Sequence, residues 1–158
     1  MSAVLNDNNL QVFRWVTFRL ADEIYGINVM QVQEVLRMTD IAPVPGAPHY
    51  VMGIINLRGN VVTVLDTRKL LDLATTEISD STRIMIIESG KVTVGLLVDS
   101  VAEVVNISSN EIDPAPSVGN EEGSRYIQGI YSNDQQILIL IDLNKLINEE
   151  NRDAIGGF

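Results

Sequence analysis

One histidine, His49, sits in the turn-rich stretch Pro45-Gly46-Ala47-Pro48-His49-Tyr50, and the chain contains no cysteine. Acyl-transfer chemistry needs a nucleophile, a base and a group that orients the base. A lone histidine, with no Ser or Cys in a recognisable nucleophile setting, supplies one part of three. It founds a metal site only if carboxylates converge on it, so His49 reads as a surface or turn residue. Without thiols there are no disulfides, thiolate nucleophiles or zinc–thiolate sites. The acid pairs Glu121-Glu122 and Glu149-Glu150 stand in polar stretches and read as solvated. Glycoside hydrolysis would need two carboxylates facing each other across a cleft. Leu57-Arg58-Gly59-Asn60 lacks the spacing of a phosphate loop, and no G-x-G-x-x-G occurs. The expectation is a protein that is not an enzyme and carries no cofactor or metal.

Composition narrows the partners. The 158 residues include 11 Lys and Arg against 21 Asp and Glu, a net charge of −10. Phosphate backbones and anionic lipid surfaces both select clustered Lys and Arg, so neither nucleic acid nor a membrane surface is expected as a partner. Apolar residues make up 46%, enough for a core in a chain of this length. Val, Ile and Leu dominate that set, with three Phe and one Trp, which favours strands over helices. Met1 to Asn9 lacks the cationic and apolar regions of a signal peptide, and no apolar run approaches the ~20 residues of a membrane span. These features fit a cytosolic protein without membrane insertion.

The elements that would position any binding residue come in duplicate. Residues 53–71 align with 129–147 at an offset of 76, sharing Gly53/Gly129, Ile54/Ile130, Asp66/Asp142, Lys69/Lys145 and Leu70/Leu146. Residues 25–36 align with 94–105 at an offset of 69, sharing Gly26/Gly95, Val29/Val98, Val32/Val101, Glu34/Glu103 and Val35/Val104. Between the blocks, Pro43-Val44-Pro45 answers Pro114-Ala115-Pro116. Two matches in one order indicate a duplicated β-unit, spanning about 11–78 and 82–148. The longer second offset falls mostly in the polar stretch Ser117 to Arg125, which reads as a loop.

Within each half, strand signals recur every 8–15 residues or so with Gly and Pro between them, the pattern of small barrels. Phe13–Leu20 and Ile24–Val29 flank one hairpin turn; Arg83–Glu88 and Val92–Val98 flank another. Val29, Val32, Val35 and Leu36 carry helical spacing and predict a turn of helix entering a strand. Val61–Leu65 and Ile137–Ile141 are apolar throughout and predict strands buried on both faces. Asp66 and Asp142 each precede a short helical pattern and read as N-caps. Halves of about 70 residues are marginal alone, so they should pack together and leave a crease between them.

One segment goes further: Gly53-Ile54-Ile55-Asn56-Leu57-Arg58-Gly59-Asn60-Val61-Val62-Thr63-Val64-Leu65-Asp66. Its turn carries Arg58, whereas the second half has the ordinary polar turn Ser132-Asn133-Asp134-Gln135. Together with Tyr25-Gly26-Ile27, Val32-Gln33-Glu34-Val35, Pro43-Val44-Pro45 and Val94-Gly95-Leu96-Leu97-Val98-Asp99 in order, the chain closely resembles the CheW family. These are the coupling proteins of bacterial chemotaxis. The likeness runs from about Phe13 to Ile147.

The resemblance implies an all-β domain over 11–150, two intertwined five-stranded SH3-like barrels with short helices, one of them C-terminal. Residues 1–10 and 151–158 would be flexible tails. It implies a non-enzymatic adaptor that binds the regulatory domain of the histidine kinase CheA and the cytoplasmic tips of chemoreceptors, recruited to arrays at the inner membrane. Val29, Val32, Val98, Val101 and Val104 match positions lining a receptor-binding groove. Ile41, Val44, Gly53, Arg58 and Gly59 match the kinase-binding face, and Glu34 with Arg58 match a paired acid and base. Two alternatives stay open: an adaptor of a sister pathway such as pilus-driven motility, and a ligand-binding β-barrel of another class.

Overall fold

The computed structural model describes residues 4–5, 11–115 and 126–146. In chain order the strands are β1 (Val4–Leu5), β2 (Gln11–Leu20), β3 (Glu23–Asn28), β4 (Val32–Arg37), β5 (Val51–Leu57) and β6 (Asn60–Asp66), followed by β7 (Arg83–Ser89), β8 (Val92–Val98), β9 (Ser100–Ser108), β10 (Ile127–Ser132) and β11 (Ile137–Ile141). Two short helices follow the last strand of each half, α1 (Thr67–Leu70) and α2 (Leu143–Leu146). Asp66 caps α1, accepting from the N–H groups of Arg68 and Lys69 at 3.1 and 3.3 Å. Asp142 caps α2 in the same way, from Asn144 and Lys145 at 2.9 and 3.4 Å.

The strands form two sheets, and the halves trade hairpins between them. The first sheet runs β4-β7-β8-β6-β5, so the second half's β7–β8 hairpin sits inside the first half's sheet. The second sheet runs β9-β2-β3-β11-β10, with the first half's β2–β3 hairpin inside it. Each exchange is sealed by a parallel pairing: β6 with β8, placing Val64 beside Gly95, and β11 with β3, placing Leu140 beside Gly26. Under the offsets of 69 and 76 these two registers are the same register. The antiparallel pairings agree as well, Val35 opposite Met85 and Val104 opposite Val16.

Alternation along these strands feeds three cores, because both faces of the central strands are covered. Ile55, Val62, Val64, Ile84 and Ile86 fill the first barrel. Trp15, Ile107, Leu138 and Leu140 fill the second. The largest cluster lies between the sheets and takes the other faces of the same strands: Phe18, Leu20, Tyr25 and Ile27 meet Leu65, Met85, Ile87 and Leu96. The first residues of the two apolar strands escape this burial. Val61 and Ile137 are 69% and 54% exposed, so double-sided burial holds for β6 and β11 only after their first turn-proximal positions.

Each barrel closes through one bridge. Beyond β4, Ala42 and Ile54 exchange backbone hydrogen bonds of 2.9 and 2.8 Å; beyond β9, Asp113 and Ile130 do so at 2.8 Å both ways. Beside these bridges lie Gly53 and Gly129. A Cβ on Gly53, at φ +153°, would overlap the Ala42 carbonyl, and one on Gly129 would fall 3.0 Å from the Asp113 carbonyl oxygen. Only glycine lets the closing segment approach so closely.

The halves differ at one junction. Asn28 accepts from the Met30 N–H at 3.0 Å and starts a 3₁₀ turn, Val29–Gln31, before β4. The equivalent residue is Leu97, which offers no side-chain acceptor, and β8 passes to β9 without such a turn. Val4 and Leu5, placed in the tail by sequence, pair with Val12 and Gln11 of β2. The rest of both tails, Pro116, the stretch Ser117–Arg125 and both acid pairs lie outside the described residues.

Gly53→Ala should destabilise the protein by about 2–4 kcal/mol, combining overpacking with backbone strain. Gly59→Ala, where a Cβ would meet nothing within 4 Å at φ +90°, should cost only about 1–2 kcal/mol. Urea melts of both variants measure the difference, and equal losses would show that closure at Ala42 is not what demands glycine.

Candidate functional site

The β5–β6 hairpin turns through Arg58 and Gly59, at φ +51° and +90°. Two successive residues of positive φ make the tight turn whose twist suits a hairpin. Asn56 accepts from the Gly59 N–H at 2.8 Å and braces it. Held this way, the Arg58 guanidinium reaches Glu34 on β4 with a fork of two hydrogen bonds: one from Nη1 at 3.3 Å, the other between Nη2 and Oε2. β4 and β5 are the two outer strands of their sheet, so this ion pair spans the seam where the first barrel closes. It lies in solvent, with Arg58 largely exposed. The Arg58 hydrogen bond holds the Glu34 carboxyl below the ordinary carboxylate range.

The other residues assigned to this face divide. Val44 is half-buried and Gly59 exposed. Ile41 packs against the first barrel's core, and Gly53 is buried beneath Ala42. Ile41, like Val44, keeps part of its surface in solvent, whereas Gly53 lies under the bridge that closes the barrel on which Arg58 is carried.

The five valines also divide. Val29, Val32 and Val101 are half-buried against the central core between the sheets. Val104 is 47% exposed, whereas Val98 is 1% exposed and belongs to that core. Val98 therefore leaves the groove, although it is the repeat equivalent of Val29. The Asn28-capped turn lifts Val29 partly out, while Val98 ends β8 with no such turn and stays buried. Sequence reasoning missed Val35, the equivalent of Val104, which is exposed to a similar degree. The shared Val35/Val104 identity was the available signal.

A second ion pair was not anticipated. Arg68, on α1, donates from Nε to Asp99 Oδ1 at 3.0 Å and from Nη2 to Oδ2, while its Nη1 donates to the Ala74 carbonyl at 2.8 Å. Asp99 joins β8 to β9 and also accepts from the Ala21 N–H, in the β2–β3 turn, at 2.8 Å. One carboxylate thus ties the first barrel's helix to the second barrel's hairpin. The side chains of Arg68 and Asp99 are 13% and 26% exposed. Burial pushes the Asp99 carboxyl up, but hydrogen bonds from Arg68 and Ala21 and the Arg68 charge outweigh it and leave it below its usual value.

These surfaces hold the exposed Arg58–Glu34 fork, the half-buried Arg68–Asp99 fork with a crevice of about 20 Å³ beside it, and a set of half-buried apolar positions repeated across two barrels. His49 is exposed in its turn, edge-on to Tyr50 at 5.5 Å. That equipment suits recognition of other proteins. A CheW-like domain model matches residues 14–151. The chain belongs to the CheW family. The chemotaxis protein CheW of Treponema pallidum is 34% identical over 155 residues, covering 94% of this chain and 90% of the relative. Protein FrzA of Myxococcus xanthus is 29% identical over 141 residues, covering 88% of each. The crystal structure of a scaffolding CheW protein from Thermoanaerobacter tengcongensis superposes with a TM-score of 0.79 at 35% identity, covering 86% of this chain and 88% of that one. The CheW fold is the pair of interlocked barrels described above, and CheW relatives are chemotaxis scaffolds.

Arg68→Ala should cost about 1.5–3 kcal/mol, the worth of hydrogen bonds to a charged group, lowering Tm by roughly 3–12 °C. Because the folded carboxyl lies below its unfolded value of ~3.9, the pair's contribution is complete above that pH and is lost as pH falls through the depressed value. Thermal melts of wild type and variant from pH 7 to pH 2 should therefore converge. A gap that stays constant to pH 2 would rule out Asp99 as the group responsible.

Proposed function

We propose that the protein is a non-enzymatic cytoplasmic adaptor that couples chemoreceptor tips to the histidine kinase CheA in arrays at the inner membrane. The observation that carries this reading is the repeated apolar edge. Val32 and Val101 occupy equivalent positions on β4 and β9, opposite Ile87 and Phe18, and both stand half-buried at the boundary of the central core. In this reading each barrel would contribute a matching margin to one receptor-binding crease. Receptor tips are helical hairpins, and a helix is recognised by laying its apolar stripe into such a groove.

The kinase would use the first barrel's outer seam, where Arg58 meets Glu34 beside Gly59, together with Val44 beyond β4. Arg58 is held in a bidentate fork, so its guanidinium presents a fixed plane with its remaining donors facing solvent. Regulation would pass through binding alone, with no chemical step in the adaptor. The CheW relatives and the scaffolding structure support that role. An adaptor of a parallel pathway would share every feature of this fold and differ in its receptors.

Reconstitution with receptor and CheA should show kinase autophosphorylation rising when this protein is added; equal rates with and without it would end the proposal. Val32→Asp and Val101→Asp should each stay folded by circular dichroism, keep CheA binding, and lose about 10- to 100-fold in receptor affinity, the worth of one buried valine. Arg58→Glu should instead weaken CheA binding, with partial recovery on adding Glu34→Arg. Unfolding of both aspartate variants would assign the two valines to the core.

A further inference from the structure

The register of β4 and β7 sets Arg37 directly opposite Arg83. Opposite residues of an antiparallel pair project from the same face, and like charges in that arrangement repel. The repeat provides an internal comparison. In the second barrel the equivalent pair is Arg14 opposite Asn106, with no second charge. In a chain of net charge −10, acidic partners for both arginines are plentiful. Yet among the described residues neither Arg37 nor Arg83 forms an ion pair. Arg83 is fixed by backbone instead, its Nη1 donating to the carbonyls of Asp80 and Thr82 at 2.9 Å each.

Both arginines line an open concavity of about 540 Å³, together with Met38, Ile78, Ser79, Asp80 and Thr82. Asp80 also lines the concavity, and its backbone carbonyl is one of the two that hold Arg83. Ile78 is half exposed and Met38 half-buried, giving the concavity an apolar margin. The volume falls in the range of small-molecule sites rather than of a single ion. One guanidinium is held in place and the other is free to swing, a pairing suited to gripping a planar or tetrahedral oxyanion from two sides.

We infer that this concavity is a binding site for a small oxyanion, a phosphate or carboxylate group on a compact organic body, clamped between Arg37 and Arg83. The ligand's charge relieves the repulsion that the empty pair carries, so binding and stability are linked. The site rests on β4, β7 and the segment before β7 alone. It stands or falls apart from the receptor and kinase reading.

The test uses the full ¹⁵N-labelled chain at constant ionic strength, titrated separately with sodium phosphate and sodium succinate. Saturable shifts of the Arg37, Ser79 and Arg83 resonances with one dissociation constant are expected, and the tighter of the two probes identifies which oxyanion chemistry the site prefers. Arg37→Gln should weaken that binding by about tenfold or more, the loss of one charge-assisted fork. It should also raise Tm in sodium chloride alone, because the opposed charge is gone. Arg14→Gln, at the equivalent position, should leave the titration unchanged. Shifts that grow linearly without saturating for both anions, or equal affinities in wild type and Arg37→Gln, would overturn the site.

Discussion

Everything in this molecule rests on the exchange of hairpins between its halves. Remove β7–β8 from the first sheet and β4 loses its strand partner, while β5–β6 is left as an isolated hairpin, an arrangement of marginal stability in water. The same holds for β2–β3 in the second sheet. The exchanged hairpins also carry the central core, because Phe18, Leu20, Tyr25 and Ile27 arrive on one and Met85, Ile87, Val94 and Leu96 on the other. Neither barrel can be completed by its own half, and neither can leave the other without opening that core.

The candidate binding surfaces are products of this interlock. Glu34 lies on one outer strand of the sheet and Arg58 on the turn that leaves the other, and they meet only because the sheet curls until its ends touch. That curling is closed by the Ala42–Ile54 bridge over Gly53. Val32 and Val101 lie on the strands that border the exchanged hairpins, one in each barrel, at equivalent positions of the repeat. The Arg68–Asp99 pair completes the arrangement by fastening the first helix to the turn of the hairpin that has crossed over.

Much of this was legible from the residues. The offsets of 69 and 76 anticipate the shared register of the two parallel pairings, since Gly26/Gly95 and the strands Val61–Leu65 and Ile137–Ile141 are the elements so paired. The capping aspartates follow from their local pattern. The exchange itself is not readable from periodicity, because an alternating hairpin looks the same whichever sheet receives it; only the family resemblance implied it. Val98 came to the groove through the family resemblance, and neither that nor its repeat equivalence to Val29 reports the Asn28 cap that separates the burial of the two valines. Gly53 was placed on the kinase-binding face by the family resemblance alone, and a glycine in a strand does not itself announce the Ala42 carbonyl that lies over it. Arg68 and Asp99 lie far apart in sequence, with no local motif linking them, and became partners only through the fold.

The crossing of the hairpins also orders events during synthesis. The β2–β3 hairpin leaves the ribosome first, yet its parallel partner β11 is made last, from Ile137 onward. At ~5–20 residues per second, that hairpin waits on the order of ten seconds for the strand that covers Trp15 through Leu138 and Leu140. The first barrel can close sooner, once β8 emerges, and its outer face then offers the waiting hairpin somewhere to rest. The nascent chain therefore completes one barrel before the other, and the interval between them is when it is most open to wrong partners, including the same hairpin on a neighbouring chain.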